Sequence, residues 1–397
     1  MSFSFGFSGD DIDDEGQDDD HGDLAHEISK TRISDLEQSN TRVLPPKRHS
    51  FKDLLASLPS QISYNTLRIA LQKGHGSEPP NEMMQHENFN ETLVAKIYRR
   101  SLFDIRAQLM AEANPSTTDE PDSAETLLAG LENGDLSSGI YEGGFKTWEC
   151  AMDLASMLTV PSSPLFQDGS IEQDWEVIEL GAGSAIPGLA VLAAFLRRKT
   201  RVGRTQAPGS LKLTLCDYNA DVLRLATVPN VFLNYLFLTG RMAPQQVTED
   251  KDEGDLDLEE LGGETFTNAV MKEILAEKIS LDLISGRWGD DFVDLIITSS
   301  SQSVRSVNLL ILASETIYSP SSIKPFARTL LTLLKRHQQR GGPAKAWIAA
   351  KKVYFGVGGG VDEFEREIAS LGGTSKVIFE TKDTGVGRVI LQVTSIP

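Results

Sequence analysis

The run Trp175 to Leu196, WEVIELGAGSAIPGLAVLAAFL, constrains the fold of this chain more than any other stretch. A short apolar strand passes into a glycine-rich turn, and the turn opens an apolar helix. Such a strand, turn and helix bring backbone N–H groups to a ligand at a helix N-terminus, because glycine lets the main chain come close. Spacing then decides which ligand is meant. A dinucleotide fingerprint asks for Gly or Ala five residues after Gly181, but Ile186 stands there with Pro187 next. The GK[ST] ending of a phosphate-cradling loop is missing as well, so ATP hydrolysis is poorly supported.

The rest of the chain repeats this alternation. Strand-like runs occur at Trp175–Leu180, Leu211–Cys216, Ile279–Ile284, Val307–Ser314, Ala346–Ala350, Val377–Glu380 and Val389–Thr394. Helical stretches such as Ile186–Arg198, Ala220–Thr227 and Ile323–Gln338 lie between most of them. Strands alternating with helices predict an α/β protein with a mostly parallel sheet covered on both faces. The last two runs lack a clear helix between them, which predicts seven strands with an antiparallel end. Before this domain, at 141–397, we expect an acidic disordered tail over 1–50 and a helical extension with linker over 51–140. Within the extension, Phe51–Leu71 reads as two short helices split at Pro59, and Leu93–Ala111 as one amphipathic helix. The segment around 240–263 reads as an acidic insertion.

The chain has 397 residues and a formal net charge of −19. That charge is concentrated. Residues 10–23 hold nine acids, and residues 249–260 hold eight acids and one lysine. The remainder is nearly balanced, 40 acids against 37 bases. Like-charged runs of this kind are solvated and suit capture of a basic partner, and they argue against direct nucleic-acid binding. Two cysteines and six scattered histidines give no disulfide framework or ligand spacing, so no structural metal is expected. The opening MSFSFGF runs straight into acids, and no run of eighteen apolar residues occurs. The expectation is a soluble protein with no membrane partner.

The strand ends carry the chemistry, since ligands of open α/β sheets bind beyond the carboxyl ends of the strands. The second strand ends in CDYN, placing Asp217 where a carboxylate can hold ribose hydroxyls, or cap the helix that starts at Ala220. The third ends in SGRWG, with Trp288 fit to wall an adenine. The fourth ends in ASETIYSP, adding Glu315, Thr316 and Tyr318. Upstream, YEGGFKTWEC (Tyr141 to Cys150) sets two adjacent glycines before a helix that opens on Trp148 and Glu149. Downstream, KKVYFGVGGGVDEF (Lys351 to Phe364) places three glycines near Tyr354 and Phe355.

The pattern Glu179-x-Gly181-x-Gly183 resembles the first motif of S-adenosylmethionine-dependent methyltransferases. Together with YEGGFKTWEC, CDYN, SGRWG, SETIYSP and KKVYFGVGGGVDEF, it resembles the protein-histidine N-methyltransferases of the seven-strand class, over roughly residues 141–394. The resemblance implies a Rossmann-like fold and S-adenosyl-L-methionine as cofactor. It implies that Thr147, Trp148, Glu149, Cys150 and Ala151 line the methionine and ribose part. Gly181 and Gly183 would approach the cofactor; Asp217, Tyr218 and Asn219 would hold ribose and flank adenine. Gly286, Arg287 and Trp288 would close over the base, and Ser314 would touch the cofactor from the fourth strand. Glu315 and Tyr318 would face the substrate as the catalytic pair. Ala185 replaces the third glycine sometimes found in the first motif.

A histidine side chain, with a pKa near 6.5, is mostly neutral at pH 7, so no strong base is obligatory. One ring nitrogen attacks while the other keeps its proton, and we assign Glu315 as the acceptor of that N–H, with Glu149 as rival. The Trp148 ring face is expected to favour the sulfonium by cation–π contact. The resemblance further implies a basic substrate from the large ribosomal subunit, which suits the acidic segments. A monomer, cytoplasmic and nuclear, is expected. A lysine methyltransferase of the same fold and a non-catalytic ribosome-assembly chaperone are the alternatives.

Overall fold

The computed structural model describes residues 44–70, 94–113, 123–132, 143–159, 163, 173–202, 209–242, 253–298, 307–356, 358–381 and 385–396. The elements in chain order begin with β1 (Lys47–His49), α1 (Phe51–Ala56), β2 (Gln61–Ala70), β3 (Val94–Arg100), α2 (Leu102–Glu112) and α3 (Ser123–Glu132). Then follow α4 (Glu149–Thr159), β4 (Trp175–Leu180), α5 (Ile186–Val202), β5 (Leu211–Asp217), α6 (Ala220–Val222), α7 (Val228–Leu238) and β6 (Glu253–Asp257). The chain closes with α8 (Gly263–Ala276), β7 (Ile279–Ser285), α9 (Asp290–Thr298), β8 (Asn308–Ser314) and α10 (Pro320–Gln339). Last come β9 (Ala344–Lys351), α11 (Val361–Ser370), β10 (Gly373–Glu380) and β11 (Arg388–Ser395).

The expected seven strands form one sheet in the order β7-β5-β4-β8-β9-β11-β10. The first five run parallel, and β11 is inserted antiparallel between β9 and β10. β4 is buried at every position, as a central strand covered on both faces must be. Successive residues alternate between the two cores. Val177, Leu213 and Leu310 face a core shared with α4, α5, α7 and α8. Ile178, Cys216 and Ile311 face the core under α9, α10 and α11.

The N-terminal region departs from expectation. An eighth strand, β1, pairs antiparallel with β7, so residues 47–49 belong to the sheet and not to a tail. Residues 1–43, including the first acidic run, lie outside the described residues. Phe51–Leu71 is one helix followed by the ten-residue strand β2, not two helices. Leu93–Ala111 breaks into β3 and α2 at Ser101, whose side chain accepts from the Asp104 N–H and caps the helix. Within the acidic insertion, Glu253–Asp257 forms β6, which joins β2 and β3 in a second sheet.

The extension is not a separate unit either. Phe51, Leu55, Ile62 and Ile97 lie in the same core as Leu154, Leu189 and Phe232. Two asparagines of α7 bind its edge: Asn234 Oδ1 accepts from the Tyr98 N–H at 3.0 Å, and Asn230 Oδ1 accepts from the Arg100 N–H at 2.7 Å. Tyr98 stacks on Phe237 with ring centroids 3.7 Å apart. The expected Ala220–Thr227 helix continues through a π-helical turn, Leu223–Thr227, into α7.

Candidate active site

Parallel pairing sets the carboxyl ends of four strands side by side. Leu180 is level with Cys216 and Ala313, Asp217 with Ser285, and Ser314 with Ala349. The residues that follow, Gly181, Asp217 to Asn219, Gly286 to Trp288 and Ser314 to Tyr318, therefore share one edge of the sheet.

Asp217 organises this edge. Its carboxylate is nearly buried and accepts from the Gly183 N–H at 2.9 Å and the Asn219 N–H at 3.1 Å. Its carbonyl accepts from the Gly286 N–H at 3.0 Å. One residue thus ties together the turns after β4, β5 and β7. Gly183 has φ +52, and a Cβ there would stand 2.8 Å from the Gly144 carbonyl oxygen, so neither turn could close over a larger residue. From α7's side, Thr227 Oγ1 donates to the Gly183 carbonyl at 2.7 Å and Asn230 Nδ2 to the Ser184 carbonyl at 2.9 Å. Sequence reasoning missed these two props. The signal was there: Asn230 and Asn234 are polar residues four apart in the apolar run VPNVFLNYLFL.

Glu179 is fully buried and turns away from the edge, accepting from the Gly188 N–H at 2.8 Å. Burial pushes its carboxyl up to about 8, with the charge of Asp217 adding to the shift. A carboxyl raised in the folded state keeps its proton there while the unfolded chain has already lost it. Stability is then full below about 4.5, the ordinary value, and falls as pH rises towards 8. Glu179→Gln should flatten that fall, read as a thermal midpoint that varies less between pH 5 and 8 than that of the parent.

The segment before α4 packs on the glycine turn. Thr147 Oγ1 and Ser184 Oγ are 3.0 Å apart, and the Trp148 indole N–H donates to the Gly143 carbonyl at 3.0 Å. Thr147, Trp148 and Glu149 are half-buried at the surface. Cys150 and Ala151, expected to line the cofactor, have buried side chains that join the core. Tyr141 lies outside the described residues. The Lys351 ammonium sits 5.5 Å from the Trp148 ring centroid. Trp148→Ala should weaken cofactor binding roughly tenfold while lowering the thermal midpoint only slightly, as loss of a half-exposed aromatic wall does. A large loss of stability with unchanged affinity would make Trp148 a core residue.

At the third strand end, Gly286 is covered by the N-terminal strap, since a Cβ there would lie 2.6 Å from the Pro45 oxygen and the Pro46 Cα. The Arg287 N–H donates to the Leu44 carbonyl, and His49 Nε2 lies 2.7 Å from Ser285 Oγ. Arg287 is exposed, and half-buried Trp288 packs against Phe326 with centroids 4.9 Å apart. Tyr218 is half-buried, and Asn219 is buried.

The fourth strand end holds a charged cluster. Ser314 ends β8, and Glu315 follows with φ +55, an uncommon backbone conformation outside glycine. The Glu315 side chain is 8% exposed, and its Oε1 is buried and accepts no hydrogen bond among the described residues. The Lys351 ammonium lies 3.7 Å from that oxygen and 3.0 Å from Glu149 Oε2. Burial first, and the nearby Glu315 charge second, pushes the Tyr354 phenol and the Cys150 thiol well up, so both stay protonated. Burial works to lower Lys351, but Glu315 and Glu149 outweigh it and raise it. Tyr318 meets Tyr354 edge-on at 6.4 Å, and its carbonyl accepts from the Gly359 N–H, which joins the SETIY and GVGGG segments.

No family model matches the chain. Curated relatives do. "Histidine protein methyltransferase 1" of Saccharomyces cerevisiae is 32% identical over 373 residues, covering 92% of this chain and 90% of the relative. This chain belongs to the histidine protein methyltransferase family. The protein of the same name in Schizosaccharomyces pombe is 32% identical over 74% of this chain and 75% of its own length. A homologue in Bos taurus is 29% identical over 66% and 58%. Solved structures align distantly. A methyltransferase from Pyrococcus furiosus gives a TM-score of 0.23 at 9% identity over 57% of this chain and 78% of its own. The B. subtilis tRNA methyltransferase TrmK gives 0.27 at 10% over 64% and 68%.

The site of this family member suits S-adenosylmethionine on its own evidence. Thr316 Oγ1 is buried and has no hydrogen-bond partner among the described residues. Its methyl would stand 2.8 Å from a Cβ at Gly181, so glycine keeps that corner open. That leaves a buried polar atom beside the glycine turn, as a polar ligand requires. The same edge offers the Asp217 carboxylate and the half-buried Tyr218 and Trp288 for a nucleoside. No group of three or more potential metal ligands occurs among the described residues, and no helix among them is long and apolar enough to cross a membrane.

Proposed function

We propose that this S-adenosylmethionine-dependent protein-histidine N-methyltransferase modifies one histidine of a basic protein of the large ribosomal subunit, with Glu315 as the group that orients the acceptor ring. The observation that carries the site assignment is the Glu315 carboxylate, held at φ +55 with a buried oxygen that lacks a donor. Strained, under-satisfied groups concentrate where a ligand completes them.

S-adenosylmethionine supplies a methyl group that is already activated. The protein's part is alignment, which can remove on the order of 7–11 kcal/mol from a barrier at best. The acceptor's unprotonated ring nitrogen attacks in line; its lone pair forms the N–C bond as the S–C bond breaks. The positive charge passes to the ring, whose N–H points at Glu315 and is stabilised by that anion. Trp148, Tyr318 and Tyr354 shape the walls. Because the attacking ring must be neutral, the rate should fall as pH drops below about 6.5.

The substrate class is supported by charge. Eight acids within residues 249–260 include Glu253, Asp255 and Asp257 of β6, and the run at 10–23 adds nine more. A strongly basic ribosomal protein would be drawn to them, with a salt-sensitive rate of association. A cytoplasmic and nuclear location and a monomeric state belong to the same proposal. The test is methyl transfer from labelled S-adenosylmethionine to purified large-subunit ribosomal proteins, with mass spectrometry of the product. Methyl-histidine in one basic protein is expected. Methyl-lysine would replace the reading with a lysine methyltransferase, and tight binding without transfer would replace it with a chaperone.

A further inference from the structure

We propose that Lys351 is a positioning residue for this reaction: its ammonium bridges Glu149 and Glu315 above the face of Trp148 and fixes where the two carboxylates meet the acceptor ring. The inference rests on the histidine methyltransferase reading and deepens it.

Three elements that are far apart in sequence converge on this ammonium. Glu149 opens α4, Glu315 follows β8, and Lys351 ends β9. The distances are 3.0 Å to Glu149 Oε2, 3.7 Å to Glu315 Oε1 and 5.5 Å to the Trp148 ring centroid. The side chain is 19% exposed, so the contacts are only partly screened by water. Cation and ring also act together, since an ammonium over an indole face is held by the ring quadrupole.

The surroundings explain why a single cation matters. From α4 the cluster is faced by Glu149, Cys150 and, one turn on, Asp153. From β8 comes Glu315, from β9 and its loop Lys351 and Tyr354, and from β11 Arg388. Arg388 is taken up by Asp153 in a salt bridge. Cys150 and Tyr354 remain neutral beside Glu315. What is left is two carboxylates against one ammonium, a net charge of −1 beside the ring that becomes cationic. That balance is useful in two ways. It stabilises imidazolium, and it keeps two close carboxylates from sharing a proton, which like charges at short range otherwise do. A carboxyl that holds a proton accepts the ring N–H more weakly and carries no charge to stabilise the imidazolium.

Lys351→Met therefore carries a specific signature. Without the ammonium, the two like charges are left uncompensated, and the acid limb of the rate profile is expected to move upward from the histidine's own. At pH 7, kcat should fall on the order of 10–100-fold, a general acid–base sized effect, and recover as pH is raised towards 9. S-adenosylmethionine affinity by calorimetry should change little. Lys351→Arg, which keeps the charge, should restore the parent limb within several-fold of the parent rate.

The assay uses full-length protein, S-adenosylmethionine and purified large-subunit ribosomal proteins, reading the modified histidine by mass spectrometry between pH 6 and 9. If Lys351→Met does not fold, Lys351→Gln is read for the same limb. An unshifted limb in the folded Met or Gln variant, or a loss of rate that higher pH leaves unchanged, overturns the proposal. A parent enzyme that yields no methyl-histidine at all counts against the function reading instead.

Discussion

Glu315→Gln is expected to lower kcat/KM for histidine methylation on the order of 10²–10³-fold, the size seen when an oriented group facing developing charge is removed. The substitution is close to isosteric, and glutamine meets the same backbone demand at φ +55. Three neighbours will register the change. Tyr354 and Cys150 lose the nearby negative charge, while Lys351 loses one of its two counter-charges. The acceptor ring loses an anion and meets a neutral amide. Because Glu315 follows the fourth strand, whereas the residues expected to hold the nucleoside follow the first three, S-adenosylmethionine affinity should be nearly unchanged. Turnover on purified large-subunit ribosomal proteins, cofactor affinity by calorimetry and the thermal midpoint separate these effects. Full turnover in the variant with normal cofactor binding would transfer the role to Glu149.

Asp217→Ala should strike the cofactor and the fold together. The Gly183 and Asn219 N–H groups, at 2.9 and 3.1 Å, lose their acceptor in a region that is almost water-free. Charged hydrogen bonds of this kind are worth about 1.5–3 kcal/mol each, and part of that is recovered by relaxation. A stability loss of about 2–3 kcal/mol is expected from the turn, with S-adenosylmethionine affinity reduced on the order of 100-fold if the carboxylate also holds the ribose. Asp217→Asn keeps one acceptor and should fall between. Affinity within a few-fold of the parent would show that Asp217 serves the turn alone and no ribose.

The sheet was legible because its strands are buried on both faces. A central parallel strand must be largely apolar, and WEVIEL, LKLTLC and NLLILAS are mostly so. The glycines between β4 and α5 were legible for a similar reason, since few residues accept a positive φ. The extension was not. Ile62 and Tyr64 are buried on one face of β2, where β6 pairs with the strand, Ser63 opposite Asp255. Nothing near Ser63 announces a partner almost two hundred residues away. β6 itself, EGDLD, is made of residues that disfavour strands, and tertiary pairing overrides that preference. In Leu93–Ala111 the apolar spacing suits a helix throughout, yet the chain breaks at Ser101, whose capping hydroxyl was the one local signal.

The candidate site divides in the same way. The chain order of motifs determined by itself which residues reach the sheet's ligand edge, because the carboxyl end of a parallel strand is fixed by local pattern and direction. It named Asp217, Trp288, Glu315 and Tyr318 on that ground. Only the tertiary structure decided how those groups are charged and held. Lys351 lies between Glu149 and Glu315, Cys150 points inward and Asp217 grips two backbone N–H groups because distant elements pack side by side. Electrostatic partnership depends on distance through space, and a sequence records distance only along the chain.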